Sequence, residues 1–271
     1  MRQAGTTDSA GTAEAGSTGQ FLYGLVPENV EVTAQARGLG DPLGPVTAVR
    51  HGEIAALVSE IPLDVRVGRP DDLLAYQQLL DAIAVTAEVP VLPARFGTVL
   101  ANREAVTELL ALRHDEYRAA LDDLDGRIEY VVRARYVERT LLTDVLAENP
   151  EIADLRDRLR GQPENTSVDL RIRLGELIHL AVEARRAVDT ERLVRALAPS
   201  CLSSVPQPAR HEQDAARVAF LVEGRRSGDF EDAVAALAER WQERATVRLI
   251  GPAAPWDFVG GGSSAEMDPG C

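Results

Sequence analysis

Two hydrophobic periods alternate along this chain, one of two residues that marks strands and one of three to four that marks helices. The run Phe21-Leu22-Tyr23-Gly24-Leu25-Val26 is apolar on both alternations, as a strand covered on both faces would be, and Pro27 ends it. Two short apolar runs, Val46 to Arg50 and Ile54 to Ser59, flank His51-Gly52-Glu53 and predict a hairpin. From Asp71 the period becomes helical, with Leu73, Tyr76, Leu80, Ile83 and Ala87 as the stripe, after Pro70 and an acidic first turn. The stretch from Val89 to Leu100 reads as a strand interrupted at Pro93-Ala94-Arg95-Phe96-Gly97. Asn102 is placed to cap a second helix through Val106, Leu110, Tyr117 and Leu124, which Gly126 would stop.

The second half opens with the cleanest alternation. Ile128, Tyr130, Val132, Ala134 and Tyr136 form one face of a strand; Arg127, Glu129, Arg133 and Arg135 form the other. A short helix near Leu141 to Ala147 should follow, with loops around Asn149-Pro150 and from Gly161 to Asn165. Thr166-Ser167-Val168-Asp169 resembles a capping box ahead of a helix to Ala198, with the stripe Leu170, Leu174, Leu177, Ala181, Ala184 and Val188. At 1.5 Å per residue that helix would extend about 45 Å, more than a compact domain needs. Strands near Cys201 to Val205 and Arg217 to Val222, a helix from Asp229 to Trp241 and a strand at Thr246 to Ile250 complete the pattern. The order strand, helix, two strands, helix, strand is the ferredoxin-like split βαβ plan. The expected fold class is therefore α+β, with two domains, each a ferredoxin-like or modified ferredoxin-like antiparallel sheet carrying helices on one face. Their expected bounds are 20–125 and 126–259. Residues 1–19 and 260–271 hold too few large apolar side chains to offset the entropy of ordering and are expected to be disordered tails.

Composition narrows the function. The chain has 271 residues, length enough for two cores. A net charge of −14 argues against nucleic acid as a partner, because phosphate binding draws on clustered basic side chains. All 29 basic residues are arginine; a genome-wide bias accounts for that better than anion recognition does. No stretch approaches the roughly 20 apolar residues a membrane span needs, and the start lacks an export signal, so a cytoplasmic setting is expected. Cys201 and Cys271 define no disulfide framework.

The chain shows no enzyme signature. His51, His114, His179 and His211 fall in four different predicted elements, without metal-ligand spacing. Cys201 has no paired histidine, and Gly38, Gly40 and Gly44 are interrupted by prolines as a phosphate loop would not be. Carboxylate pairs such as Asp71-Asp72 and Asp122-Asp123 sit where charge is normally solvated. No cofactor or metal is expected. Two motifs remain. Pro93-Ala94-Arg95-Phe96-Gly97-Thr98 reads first as a bulge in which Phe96 fills the core and Arg95 pairs with a carboxylate. Gly251-Pro252-Ala253-Ala254-Pro255-Trp256-Asp257-Phe258-Val259 presents two aromatics after the last strand, to cover the sheet or to anchor a partner. Arg95, Phe96, Trp256 and Phe258 are thus the candidate partner-binding or structural residues.

Taken in order, Phe21 to Val26, Leu92-Pro93-Ala94-Arg95-Phe96-Gly97-Thr98-Val99, Ala219-Phe220-Leu221-Val222 and the Gly251-Pro252 to Val259 segment resemble the gas vesicle GvpL/GvpF family. The likeness spans roughly Gln20 to Val259. It departs at Ala254-Pro255-Trp256, where the family usually has Pro-Pro-Tyr. The resemblance implies a non-enzymatic accessory protein of the gas vesicle, a minor structural component or assembly factor. Its implied partners are the hydrophobic shell subunit and other gas vesicle accessory proteins, and self-association is open. An alternative, by fold analogy, is a small-ligand-binding regulator with tandem ferredoxin-like domains.

Overall fold

The computed structural model describes residues 18–32, 38–39, 44–63, 68–163 and 167–259. The chain divides into two compact units. Among the described residues, one comprises 18–79 with Ala94–Arg118; the other comprises Leu80–Pro93 with 119–259.

In the first unit, β1 (Thr18–Pro27) begins two residues before the expected start at Gln20. Its central residues Phe21 to Val26 are all buried, as the two-sided apolar run requires. The hairpin forms as expected from β2 (Thr47–His51) and β3 (Ile54–Pro62), turning at Gly52 with φ +56°. β3 pairs antiparallel with β1, and the register slips between Leu22 and Gly24 so that Tyr23 sits at a bulge. α1 (Pro70–Asp81) begins where the proline predicts. Its buried line is Asp72, Tyr76 and Leu80 at i, i+4 spacing, whereas Leu73, expected in the stripe, is exposed. Asp72 faces inward because its carboxylate accepts the Gly68 and Arg69 amides at 3.1 and 3.0 Å, closing the helix start.

Two short strands, β4 (Leu92–Pro93) and β5 (Val99–Leu100), replace the interrupted strand, and β5 pairs antiparallel with β1. The single expected helix after them is two, α2 (Arg103–Leu112) and α3 (His114–Leu124), broken at Arg113 with φ −126°. Asn102 caps α2 as predicted, accepting the Ala105 amide at 2.8 Å. α2 packs on β2 and β3 through buried Val106 and Leu110.

The second unit runs β6 (Arg127–Tyr136), α4 (Glu138–Glu148), α5 (Pro150–Leu159), α6 (Val168–Leu197), β7 (Ser203–Pro206), β8 (Asp214–Glu223), α7 (Ser227–Trp241) and β9 (Ala245–Ala253). Its sheet order is β7-β8-β6-β9 with antiparallel neighbours, the ferredoxin-like arrangement. Tyr130, Val132, Ala134 and Tyr136 meet Val218, Phe220, Val222, Phe230, Leu237 and Trp241 in one core.

Helix α5 was not anticipated. Asn149-Pro150 reads as a loop, yet proline at the first helical position is pre-set for a start, and Ile152, Leu155 and Leu159 then bury at helical spacing. In α6 the expected stripe holds in its middle and fails at its ends: Leu174, Leu177 and Ala181 pack on the core, Leu170 and Val188 are exposed, and Asp189, Leu193 and Leu197 are buried further on. Ser167 donates its hydroxyl to Gln162 Oε1 at 3.1 Å and makes no capping bond to the helix amides. Asp189 can be buried because Tyr136 donates to it at 2.9 Å and Arg192 and Arg244 pair with it. The expected tails, apart from Thr18 and Gly19, and parts of the loops at 38–45 and 161–165 lie outside the described residues.

Candidate functional site

The Arg95 and Phe96 motif belongs to the first unit. Ala94 N donates to the Tyr23 carbonyl at 3.0 Å, and Leu22 N donates to the Thr98 carbonyl at 2.9 Å. Arg95 to Thr98 therefore juts out between two attachments to β1. Thr98 closes the turn by donating its amide and hydroxyl to the Arg95 carbonyl, at 3.1 and 2.7 Å. Gly97 occupies it at φ +90°, a conformation that favours glycine.

Phe96 is half-buried, edge-on to Phe21 and Tyr76 at ring separations of 5.8 and 5.2 Å. Tyr23 and Tyr76 complete the cluster; the Tyr76 hydroxyl donates to the Ala94 carbonyl, and burial raises the Tyr76 pKa. Tyr23 Oη accepts the Leu39 amide at 2.7 Å and shares a 2.8 Å hydrogen bond with Ser59. Arg95 is exposed, and among the described residues no carboxylate pairs with it, in contrast to the ion pair expected. The motif is a turn joining two short strands, with Phe96 as a lid on an aromatic cluster.

Trp256 and Phe258 belong to the second unit, in a segment that leaves β9 and folds back. Asp81 Oδ1, at the end of α1, accepts both the Ala254 amide at 2.8 Å and the Trp256 indole N–H at 3.0 Å. Glu129 Oε2 accepts the Asp257 amide at 2.8 Å, and Gln207 donates to the Asp257 carboxylate. Glu129 lies opposite Leu221 in register, so both point away from the core that Tyr130 and Phe220 line. The segment is thus a strap over the outer face of the second sheet. Within it Ala254 and Pro255 are buried, while Trp256 and Phe258 remain half-exposed. Gly251 sits at the register slip in β9 just ahead of the strap: at φ +124° a side chain is strained, and a Cβ there would lie 2.8 Å from the Glu129 carbonyl.

Glu129 is only 2% exposed. Burial pushes its carboxyl up to about 8, the Asp257 amide opposes that, and the nearby Asp257 and Asp81 carboxylates add to it. Sequence reading did not find Asp81 and Glu129. One looks like an ordinary polar helix residue, the other like a member of the strand's solvated face, and neither spacing points to a strap whose amides lie 173 and 128 residues further along the chain.

The histidines are not all apart: the His51 and His114 rings are 5.9 Å from each other, and His114 Nε2 accepts the Glu53 amide at 3.4 Å. Among the described residues, however, no three His, Cys, Asp or Glu side chains are arranged to hold a metal ion. Cys201 is a half-buried free thiol whose pKa is raised by burial, the opposite of an activated nucleophile. No described helix is long and apolar enough to cross a membrane.

Fold and motifs together define an α+β protein with two antiparallel sheets, its closing aromatic segment strapped across the second. Residues 19–260 match the family described as Gas vesicle synthesis protein GvpL/GvpF, and the chain belongs to that family. It is 34% identical over 242 residues to gas vesicle protein F of Streptomyces sp. (strain CB03234), covering 88% of this chain and 98% of that protein. To gas vesicle protein L of the same strain it is 28% identical, over 89% of this chain and 92% of the relative. The crystal structure of GvpF from Anabaena sp. PCC7120 shares the fold, with a TM-score of 0.74 at 24% identity, over 91% of this chain and 100% of that one. The chain is a gas vesicle-related protein.

Proposed function

We propose that this chain is a non-catalytic accessory protein that binds the hydrophobic shell subunit of the gas vesicle and supports vesicle formation, as an assembly factor or minor structural component. The observation that carries the reading is the match to the gas vesicle protein family over 19–260, nearly the whole described chain. Physical chemistry supplies the reason for such a protein. A free shell subunit exposes apolar surface that aggregates, and an acidic protein carrying −14 can mask that surface while keeping the complex dispersed. The expected setting is the cytoplasm, in association with the vesicle. Trp256 and Phe258, half-exposed on a pinned strap, and Arg95, exposed on a turn, are the proposed contact residues.

The test is a pull-down of the tagged protein against the co-expressed shell subunit, with washed vesicles probed in parallel. Capture of the subunit is the expected result. Presence in washed vesicles marks a resident component, and absence marks an assembly factor. Failure to capture the subunit, with vesicle yield unchanged when the protein is omitted, overturns the reading.

A further inference from the structure

The second unit contains a cleft of about 730 Å³ that the strap does not use. Its floor includes the apolar side chains of Val85, Val89, Leu124 and Ile128. Around them stand four carboxylates, Glu88, Asp125, Glu223 and Glu231, against two arginines, Arg127 and Arg225. Glu223 neutralises Arg225 at 3.0 Å, and Glu231 accepts a 2.6 Å hydrogen bond from Tyr130, which leaves its charge in place. The wall holding Val85 and Glu88 is built from irregular backbone. Ala82–Thr86 is a π-helical turn following α1, and Glu88 adopts φ +52°, where glycine or asparagine would be the ordinary choice. Such departures persist where surroundings over-determine them, and they concentrate at binding sites.

We propose that this cleft docks a segment of a partner polypeptide that is apolar and carries lysine or arginine, an inference that rests on the chain being a binder of apolar protein surface. The segment's apolar side chains cover the Val85, Val89, Leu124 and Ile128 floor, and its cation is held by Glu88, Asp125 or Glu231. Charge complementarity selects this occupant: an acidic rim repels a second copy of a chain that carries −14, and it repels anionic ligands.

The probe is a fluorescent amphipathic peptide of leucine and lysine, titrated into the full-length protein beside a leucine–glutamate peptide of equal length. The basic peptide should bind at least about tenfold more tightly. Both the pair Glu88→Gln with Glu231→Gln, which keeps an acceptor for Tyr130, and the floor variant Val85→Asp should weaken it by about tenfold, with melting checked for each. The pair Asp169→Asn with Glu191→Gln makes the same charge change on exposed positions of α6 and should leave binding unchanged. Equal binding of the two peptides, or equal weakening by the α6 pair, overturns the proposal. The same variants enter the shell-subunit pull-down. If the wild type and the cleft variants capture the subunit equally, the cleft inference fails and the functional reading stands. If the peptide binds in the cleft but the wild type captures no subunit, the functional reading fails and the cleft stands.

Discussion

Glu129 occupies the setting least suited to its type, a nearly sealed face with two other carboxylates nearby. Because its folded pKa of about 8 lies above the ordinary 4.5, the folded chain holds this proton more tightly than the unfolded chain. The contribution is therefore complete below about pH 4.5 and is lost as pH rises to about 8. Glu129→Gln keeps an acceptor for the Asp257 amide and removes the titration. The variant should match the wild type near pH 5 and exceed it near pH 9 by on the order of a few kcal/mol, read from denaturation midpoints across that range. Parallel pH curves for the two proteins would sink the argument. Asp81 gives the complementary case: Asp81→Ala strands the Ala254 amide, which belongs to a fully buried residue, and should cost about 1–3 kcal/mol. An unchanged melting temperature would show that the strap is not held there.

At the scale of elements, the turn from Arg95 to Thr98 separates two roles that sequence reading had joined. Phe96→Ala uncovers the Phe21 and Tyr76 rings and should destabilise by roughly 2–3 kcal/mol, less than a fully buried phenylalanine because the ring is half-exposed. Arg95→Ala removes an exposed side chain and should change melting by less than about 0.5 kcal/mol. If Arg95→Ala melts normally and loses the shell subunit, the turn is a contact; if it melts much lower, Arg95 is structural. Helix α6 offers a gain. Gly175 is mid-helix with open space where a Cβ would sit, so Gly175→Ala should stabilise by about 1 kcal/mol, visible as a higher melting temperature. Much of this architecture was legible because period, prolines and caps agreed. Asn102, Gly126, the Gly52 hairpin and the alternation from Arg127 to Tyr136 all sit where their chemistry placed them. What escaped was tertiary. Asp189 is buried only because Tyr136 and Arg244 meet it from distant elements, and Asp81 and Glu129 are acceptors for amides that arrive from the far end of the chain. Helix α5 is hidden by the double meaning of Asn149-Pro150, and the α6 period, which holds where Leu174, Leu177 and Ala181 pack on the core, runs on into exposed Leu170, Ala184 and Val188, which fit it equally well.

For the molecule as a whole, opposite titrations set the working range. Burial pushes the Asp214 carboxyl up, but the Arg133 guanidinium and the Arg210 and His211 amides outweigh it and hold the group below its ordinary value. That contribution is present above the ordinary carboxylate range and is lost as pH falls through the lowered value. Glu129 acts in the reverse direction, its contribution fading between about pH 4.5 and about pH 8. Self-repulsion of a chain carrying −14 at neutrality adds to the alkaline loss. Conformational stability should therefore be greatest near pH 5, close to the isoelectric point of about 4.8, where the repulsion that keeps copies apart is weakest. The pH that best holds the fold is then the pH that least protects it from association. Denaturant midpoints and light scattering measured on the same samples from about pH 4 to about pH 9 should both rise toward pH 5, and Glu129→Gln should flatten the first curve while leaving the second in place. A denaturation optimum at pH 8 in the wild type would mean that Glu129 stays ionised in the fold, and would remove the acid-side optimum with it.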